Sequence, residues 1–219
     1  MRIVIAGGHG QIALRLERVL ARRGHEVAGI IRNPEQADEL RAAGAEPVVL
    51  DLESASVEET AEALRGADAA VFAAGAGPGS TTERKDTVDR AAAVLFADAA
   101  ERAGVLRYVI VSSMGADANH QGDGIFDAYL RAKGAADDDV RAREGLDWTV
   151  LRPGALTNDD AMAGVRLAKS TGRGEVTRED VAEVIAELLA TPGTGKLTLE
   201  LIGGTTPVAD AVKEVAEDR

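Results

Sequence analysis

Cysteine is absent from the 219 residues, which removes disulfides, thiolate metal ligands and cysteine nucleophiles together. Histidine is scarce. His9, His25 and His120 lie far apart in the chain, so no metal centre is expected. Positive charge is in deficit, with 25 Lys and Arg against 37 Asp and Glu and a formal net charge of -12. Nucleic acid and anionic membranes are bound through clustered basic surface, so neither is expected as a partner; a small-molecule substrate is. No apolar stretch approaches the length of a membrane span, and the run Arg2-Ile3-Val4-Ile5-Ala6 opens the chain with no signal-peptide core before it. A cytoplasmic protein is the expectation. Fixed-period repeats and low-complexity tails are also missing.

What is present is 45% hydrophobic content, which over this length suits one domain, 1-219. Short β-branched runs at 2-6, 26-31, 46-50, 69-74, 107-112, 147-151 and 197-202 alternate with helical stretches near 11-23, 34-43, 56-65, 82-103, 126-144, 178-190 and 206-217. That alternation predicts an α/β fold: a doubly wound parallel sheet of about seven strands with helices on both faces and a small C-terminal segment. Gly24, Gly44, Gly66, Gly104 and Gly145 stand where helix C-caps are expected. The one long irregular stretch, about 153-177, reads as a small lid on the substrate side. In such a sheet ligands bind beyond the carboxyl ends of the strands, where strand order reverses.

The strand ends carry the chemistry. After the first strand comes Gly7-Gly8-His9-Gly10-Gln11-Ile12-Ala13, with Gly7, Gly10 and Ala13 at G-x-x-G-x-x-A spacing. A pyrophosphate requires a turn poor in side chains, so that backbone amides and a helix N-terminus face the anion. The second strand ends at Arg32-Asn33, near the place where an NAD site holds an acidic residue on the ribose. A guanidinium there matches a 2′-phosphate, so NADP is favoured over NAD, with a solvated surface arginine as the plain alternative. Asp51, before Leu52, reads equally as an acceptor for the adenine amino group or as a helix N-cap. Ala73-Ala74-Gly75 offers a rim without bulk, and the fifth strand ends in Ser112-Ser113.

Tyr129 and Lys133 are four apart, on one face of a helix. A neighbouring ammonium favours a phenolate, and Tyr129 is then a candidate acid or base with Lys133 as its partner and a cofactor ligand. A solvated pair is the bland reading of the same spacing. The sixth strand ends at Arg152-Pro153-Gly154, turning the chain at the same rim.

Together G-G-H-G-Q-I-A at 7-13, I-R-N-P at 31-34, L-D-L at 50-52, A-A-G at 73-75, Y-L-R-A-K at 129-133, G-L-D-W-T-V-L-R-P-G at 145-154 and R-E-D-V-A at 178-182 resemble the atypical short-chain dehydrogenase/reductase family, in its NAD(P)-binding, NmrA-like or NAD-dependent epimerase/dehydratase branch. The resemblance spans nearly the whole chain and implies a Rossmann fold with an NADP preference. It implies Gly7, Gly10, Gln11 and Ile12 on the pyrophosphate, Arg32 with Asn33 at the 2′-phosphate, and Asp51 and Leu52 at the adenine. Ala73, Ala74 and Gly75 would line the ribose side, Ser112 and Pro153 the nicotinamide end, and Tyr129, Lys133 and Ser113 would be catalytic. Two departures stand out: Asp89 replaces a helical asparagine that orients the lysine, and the hydroxyl position falls on Ser113 or Met114 depending on register. Two functions follow: an NADP-dependent oxidoreductase or epimerase for a small carbonyl or hydroxyl compound, and a binding protein that senses NADP(H) without turnover. A monomer and a homodimer are both open, since the apolar face of helix 82-103 is needed by the sheet.

Overall fold

The computed structural model describes residues 1-77, 79-162 and 164-218. Among these residues ten strands run β1 (Arg2–Ala6), β2 (Glu26–Ile31), β3 (Glu46–Val49), β4 (Ala69–Phe72), β5 (Arg107–Val111), β6 (Asp147–Pro153), β7 (Ala155–Thr157), β8 (Val165–Ala168), β9 (Glu175–Thr177) and β10 (Leu197–Gly203). Eight of them form one sheet in the order β3-β2-β1-β4-β5-β6-β10-β8. The first seven in that order are parallel to their neighbours, and β8 lies antiparallel to β10. The chain builds outward from β1 to β3 and then returns to place β4 on the other side of β1. Strand order therefore reverses between β1 and β4.

The period-two pattern of β1 divides the core. Ile3 and Ile5 face α1 (Gln11–Arg22), α7 (Arg178–Ala190) and α8 (Val208–Glu217), meeting Leu16, Leu20, Val181, Ile185 and Val212 in one cluster. Val4 and Ala6 face the opposite cluster, which holds Phe96 of α5 (Ala92–Ala103) and Val140 of α6 (Ile125–Ala142). All four β1 side chains are fully buried, as covering both faces of a parallel sheet requires.

Local chemistry explains where helices start and stop. Asn33 Oδ1 accepts from the Glu35 amide and opens a 3-10 turn, Pro34–Gln36, which leads into α2 (Ala37–Ala42). Ser56 caps α3 (Val57–Ala63) in a reciprocal pair with Glu59. Gly104 closes α5 in the left-handed region, whereas Gly145 does not act as a cap: α6 ends at Arg143 in extended backbone.

Two expectations are corrected. Residues 153-177 are irregular only in part: they contain β7 and β9, which pair with each other, and β8, which adds an eighth strand to the sheet, with loops between them. Strands of three or four residues carry too little periodicity to be read singly. The single helix expected at 82-103 is three pieces: α4 (Thr82–Arg84), a π-helical stretch Lys85–Ala91, and α5. Among the described residues no helix is long and apolar enough to cross a membrane.

Candidate functional site

At the reversal of strand order the loop after β1 touches the end of β4. Gly7 sits at φ +79, and a Cβ there would lie 2.6 Å from the Ala74 Cα, so only glycine fits. The Gly10 amide donates to the Gly7 carbonyl at 2.8 Å, closing the turn directly before α1. No side chain caps α1, and its first turn holds no acidic residue. The amides of that turn, Gln11 and Ile12 included, and the positive end of the helix dipole are therefore left for an anion. This bare cradle fits a dinucleotide pyrophosphate.

Beside it lies a cleft of about 380 Å³ lined from the carboxyl ends of β1 to β4, within the range of about 300–1,000 Å³ usual for small-ligand sites. Nine of the expected residues line it: Gly7, Gly10, Arg32, Asn33, Asp51, Leu52, Ala73, Ala74 and Gly75. Asp51 is not the cap of α3, whose cap is Ser56; its Oδ1 accepts from the Glu53 amide at 3.1 Å and shapes the turn. Arg32 is exposed at the surface but ion-paired. Its guanidinium donates to Glu53 Oε2 at 3.0 Å, an oxygen that also accepts from Arg84 at 2.7 Å, while Thr87 donates to Glu53 Oε1 at 2.7 Å. Partial burial works against the Glu53 carboxylate, but the Thr87 hydroxyl and the two guanidinia outweigh it and hold the group below its usual range.

Lys133 and Tyr129 lie on α6, Pro153 ends β6, and Ser112 and Ser113 follow β5, all outside this cleft. Lys133 is buried, and its ammonium donates to the carbonyls of Val111 at 3.1 Å and Ala74 at 3.4 Å. Asp89 Oδ1 stands 3.5 Å away, an ionic contact rather than a well-formed hydrogen bond. Asp89 also accepts from the Ala76 amide through Oδ2 at 3.2 Å. Asp89 therefore stands between Lys133 and the backbone after β4.

The spacing of Tyr129 and Lys133 suggested a mutual pair, but the cation over the tyrosine is another one. Lys85, buried and donating to the Gly77 carbonyl at 2.9 Å, holds its ammonium 5.2 Å from the Tyr129 ring centroid. The exposed Phe126 ring stacks on Tyr129 at 5.8 Å. The π-helical stretch thus supplies Lys85 to the tyrosine, Thr87 to Glu53 and Asp89 to Lys133.

Ser112 faces inward. Its hydroxyl donates to Asp137 Oδ2 at 2.8 Å, and the same oxygen accepts from Arg152. Burial pushes the Asp137 carboxyl up, with Arg152 and Ser112 pulling back. Ser113 is half-buried, its hydroxyl on the Met114 carbonyl at 3.3 Å. Sequence reasoning missed Glu53, Arg84, Lys85, Thr87, Asp137 and Arg152. Only Asp137 left a signal, four residues after Lys133 on the same helix. Among the described residues no cluster of His, Asp and Glu is arranged to hold a metal.

A doubly wound sheet with a bare glycine turn at its switch point defines a Rossmann-type nucleotide-binding protein. The chain belongs to the NAD(P)H-binding family, whose model matches residues 7–192. It is 35% identical over 216 residues to a Bacillus subtilis (strain 168) protein named as the uncharacterized sugar epimerase YhfK, covering 98% of this chain and 100% of that one. A solved structure from Bacillus halodurans, a putative NAD-dependent epimerase/dehydratase by its printed name, is 37% identical with a TM-score of 0.90 over 98% of this chain and 99% of that one. The oxidoreductase ylbE of Lactococcus lactis superposes with a TM-score of 0.86 at 27% identity, over 99% and 97% of the two chains. The family is one of NAD(P)H-binding proteins of oxidoreductase or epimerase type, in agreement with the resemblance to atypical short-chain dehydrogenase/reductases.

Proposed function

We propose that the chain is an NADP(H)-dependent oxidoreductase or epimerase acting on a small carbonyl or hydroxyl compound. The observation that carries this reading is the uncapped start of α1 facing a glycine turn, with Arg32 and Arg84 lining the adjoining cleft. Gly7, Gly10, Gln11 and Ile12 would hold the pyrophosphate, and Arg32 the 2′-phosphate. When bound, the nicotinamide supplies hydride exchange with a substrate carbon.

Tyr129 exchanges the accompanying proton with the substrate oxygen, its ring fixed between Phe126 and the Lys85 ammonium. Lys133 ties the carbonyl ends of β4 and β5 together and so keeps the floor of the site rigid. Ser113 is the hydroxyl nearest in sequence to the rim that is not committed to Asp137, and it polarises the substrate oxygen.

Tyr129→Phe tests the assignment. Nucleotide affinity is expected to stay within about twofold while NADPH-dependent turnover of a carbonyl panel falls by roughly 10²–10⁴, the range of a lost acid or base. An unchanged rate removes Tyr129 as the proton carrier. A second reading, a sensor of NADP(H) without turnover, is favoured by the commitment of the Lys133 ammonium to two carbonyls and Asp89; tight binding with no turnover of any carbonyl would select it.

A further inference from the structure

Among the described residues, Glu53 is the one acidic side chain whose carboxylate meets both cleft-lining guanidinia, Arg32 and Arg84. Its oxygens gather donors from three parts of the chain: Arg32 after β2, Arg84 of α4 and Thr87 of the π-helical stretch. Two forks and a hydroxyl converging on one carboxylate is the donor set that a phosphate monoester takes. We propose that Glu53 is an internal stand-in for the 2′-phosphate, that it is displaced when a 2′-phosphorylated adenosine enters, and that Arg84 is the second phosphate ligand beside Arg32. This rests on the reading that the cleft holds NAD(P).

The physical argument is competition. Two anions a few ångströms apart cannot both use the same two guanidinia without strong repulsion. An adenosine with a free 2′-hydroxyl leaves the Glu53 contacts in place, whereas a 2′-phosphate has to break three of them before it gains any. The Glu53 side chain is a quarter exposed, so it has solvent to swing into. Glu53 therefore handicaps NADPH and leaves NADH untouched, and the net preference is what remains after two arginines compete against one glutamate.

The test is equilibrium binding of NADPH, NADH and 2′,5′-ADP by isothermal titration calorimetry, with no turnover required. Glu53→Gln keeps the shape and removes the charge; NADPH and 2′,5′-ADP are expected to bind roughly tenfold to a hundredfold tighter, the range of one charge-assisted hydrogen bond, with NADH within about twofold. Arg84→Met is expected to weaken NADPH and 2′,5′-ADP by a similar factor and spare NADH. Equal changes for both nucleotides, or no change, overturn the proposal. So does a selective loss of NADH affinity in Glu53→Gln, which would make Glu53 a ribose 2′-hydroxyl ligand. If wild type and Glu53→Gln bind no nucleotide at all, the cofactor reading fails first and this proposal falls with it; nucleotide binding with an unaltered preference sinks this proposal alone.

Discussion

Glu17 shows how one side chain sets a pH dependence. It lies on α1, fully buried, and neither carboxylate oxygen has a hydrogen-bond partner among the described residues. Its Oε1 fills the space where a Cβ on Gly29 would stand, 2.5 Å from that position, so the acid occupies room that two glycines, Gly8 and Gly29, leave beneath the nucleotide loop. Burial pushes the carboxyl from 4.5 up to about 8, against a smaller pull from Arg18. Between those values the folded chain keeps a proton that the unfolded chain has released, so stability falls as pH rises through the window. At pH 7 the penalty is on the order of 3 kcal/mol as an upper bound. Glu17→Gln is expected to abolish that slope in denaturant melts from pH 5 to 8; an unchanged slope would place the titration elsewhere.

Asp137 contrasts with it at the same scale: its buried carboxylate holds Arg152 and Ser112 through Oδ2, while Oδ1 has no hydrogen-bond partner among the described residues. Removing one partner of a buried pair strands the other. Asp137→Ala is therefore expected to lose about 3–5 kcal/mol in urea unfolding, and a loss below 1 kcal/mol would mean that water replaces the carboxylate without difficulty.

Among elements, α6 tests packing against propensity. Gly134 sits mid-helix, where replacement by alanine ordinarily gains about 0.5–1 kcal/mol. Here a Cβ would stand 2.2 Å from the Ala118 amide nitrogen and the Asp117 carbonyl carbon, both main-chain atoms with little room to move. Close approach of the helix to the loop after β5 is what brings Lys133 to the carbonyl of Val111. Gly134→Ala is expected to destabilise by about 1–3 kcal/mol, read from the midpoint of a urea melt; stabilisation would show that the loop yields.

The π-helical stretch is the element that assembles the site. Its wide turns, five residues rather than four between bonded groups, place Lys85, Thr87 and Asp89 toward three different partners, and such turns recur at functional sites. Nothing in the residue pattern of 82-103 distinguishes them from an ordinary amphipathic helix, because the apolar face is preserved on either side.

For the whole molecule, nucleotide binding and folding are linked. A ligand that binds only the folded chain adds about 2.7 kcal/mol at 100 times its Kd. NADPH at that excess is expected to raise the thermal midpoint by several degrees, and Gly7→Val, which drives a branched side chain into Ala74 at φ +79, is expected to lose that shift. Retention of the full shift in Gly7→Val would place the nucleotide elsewhere. At this scale most of the architecture was legible: the parallel strands β1 to β6 and β10 follow from their apolar runs, and the glycine turn falls at the reversal of strand order. The edge strand β8 and the β7-β9 pair were not legible, because three or four residues become strands only when a neighbour offers hydrogen bonds.

The amino-acid order by itself determined the alternation of strands and helices, the glycine-rich turn at Gly7 to Gly10 and the presence of a cation at Arg32, since each is a property of neighbours in the chain. Only the tertiary structure decided who pairs with whom: Lys85 rather than Lys133 over Tyr129, Asp137 beneath Ser112, and Glu53 between two arginines. Those partners come from separate elements, 21 and 31 residues apart for Glu53 and its arginines, and charges that distant in sequence meet only once the sheet has fixed where each loop begins.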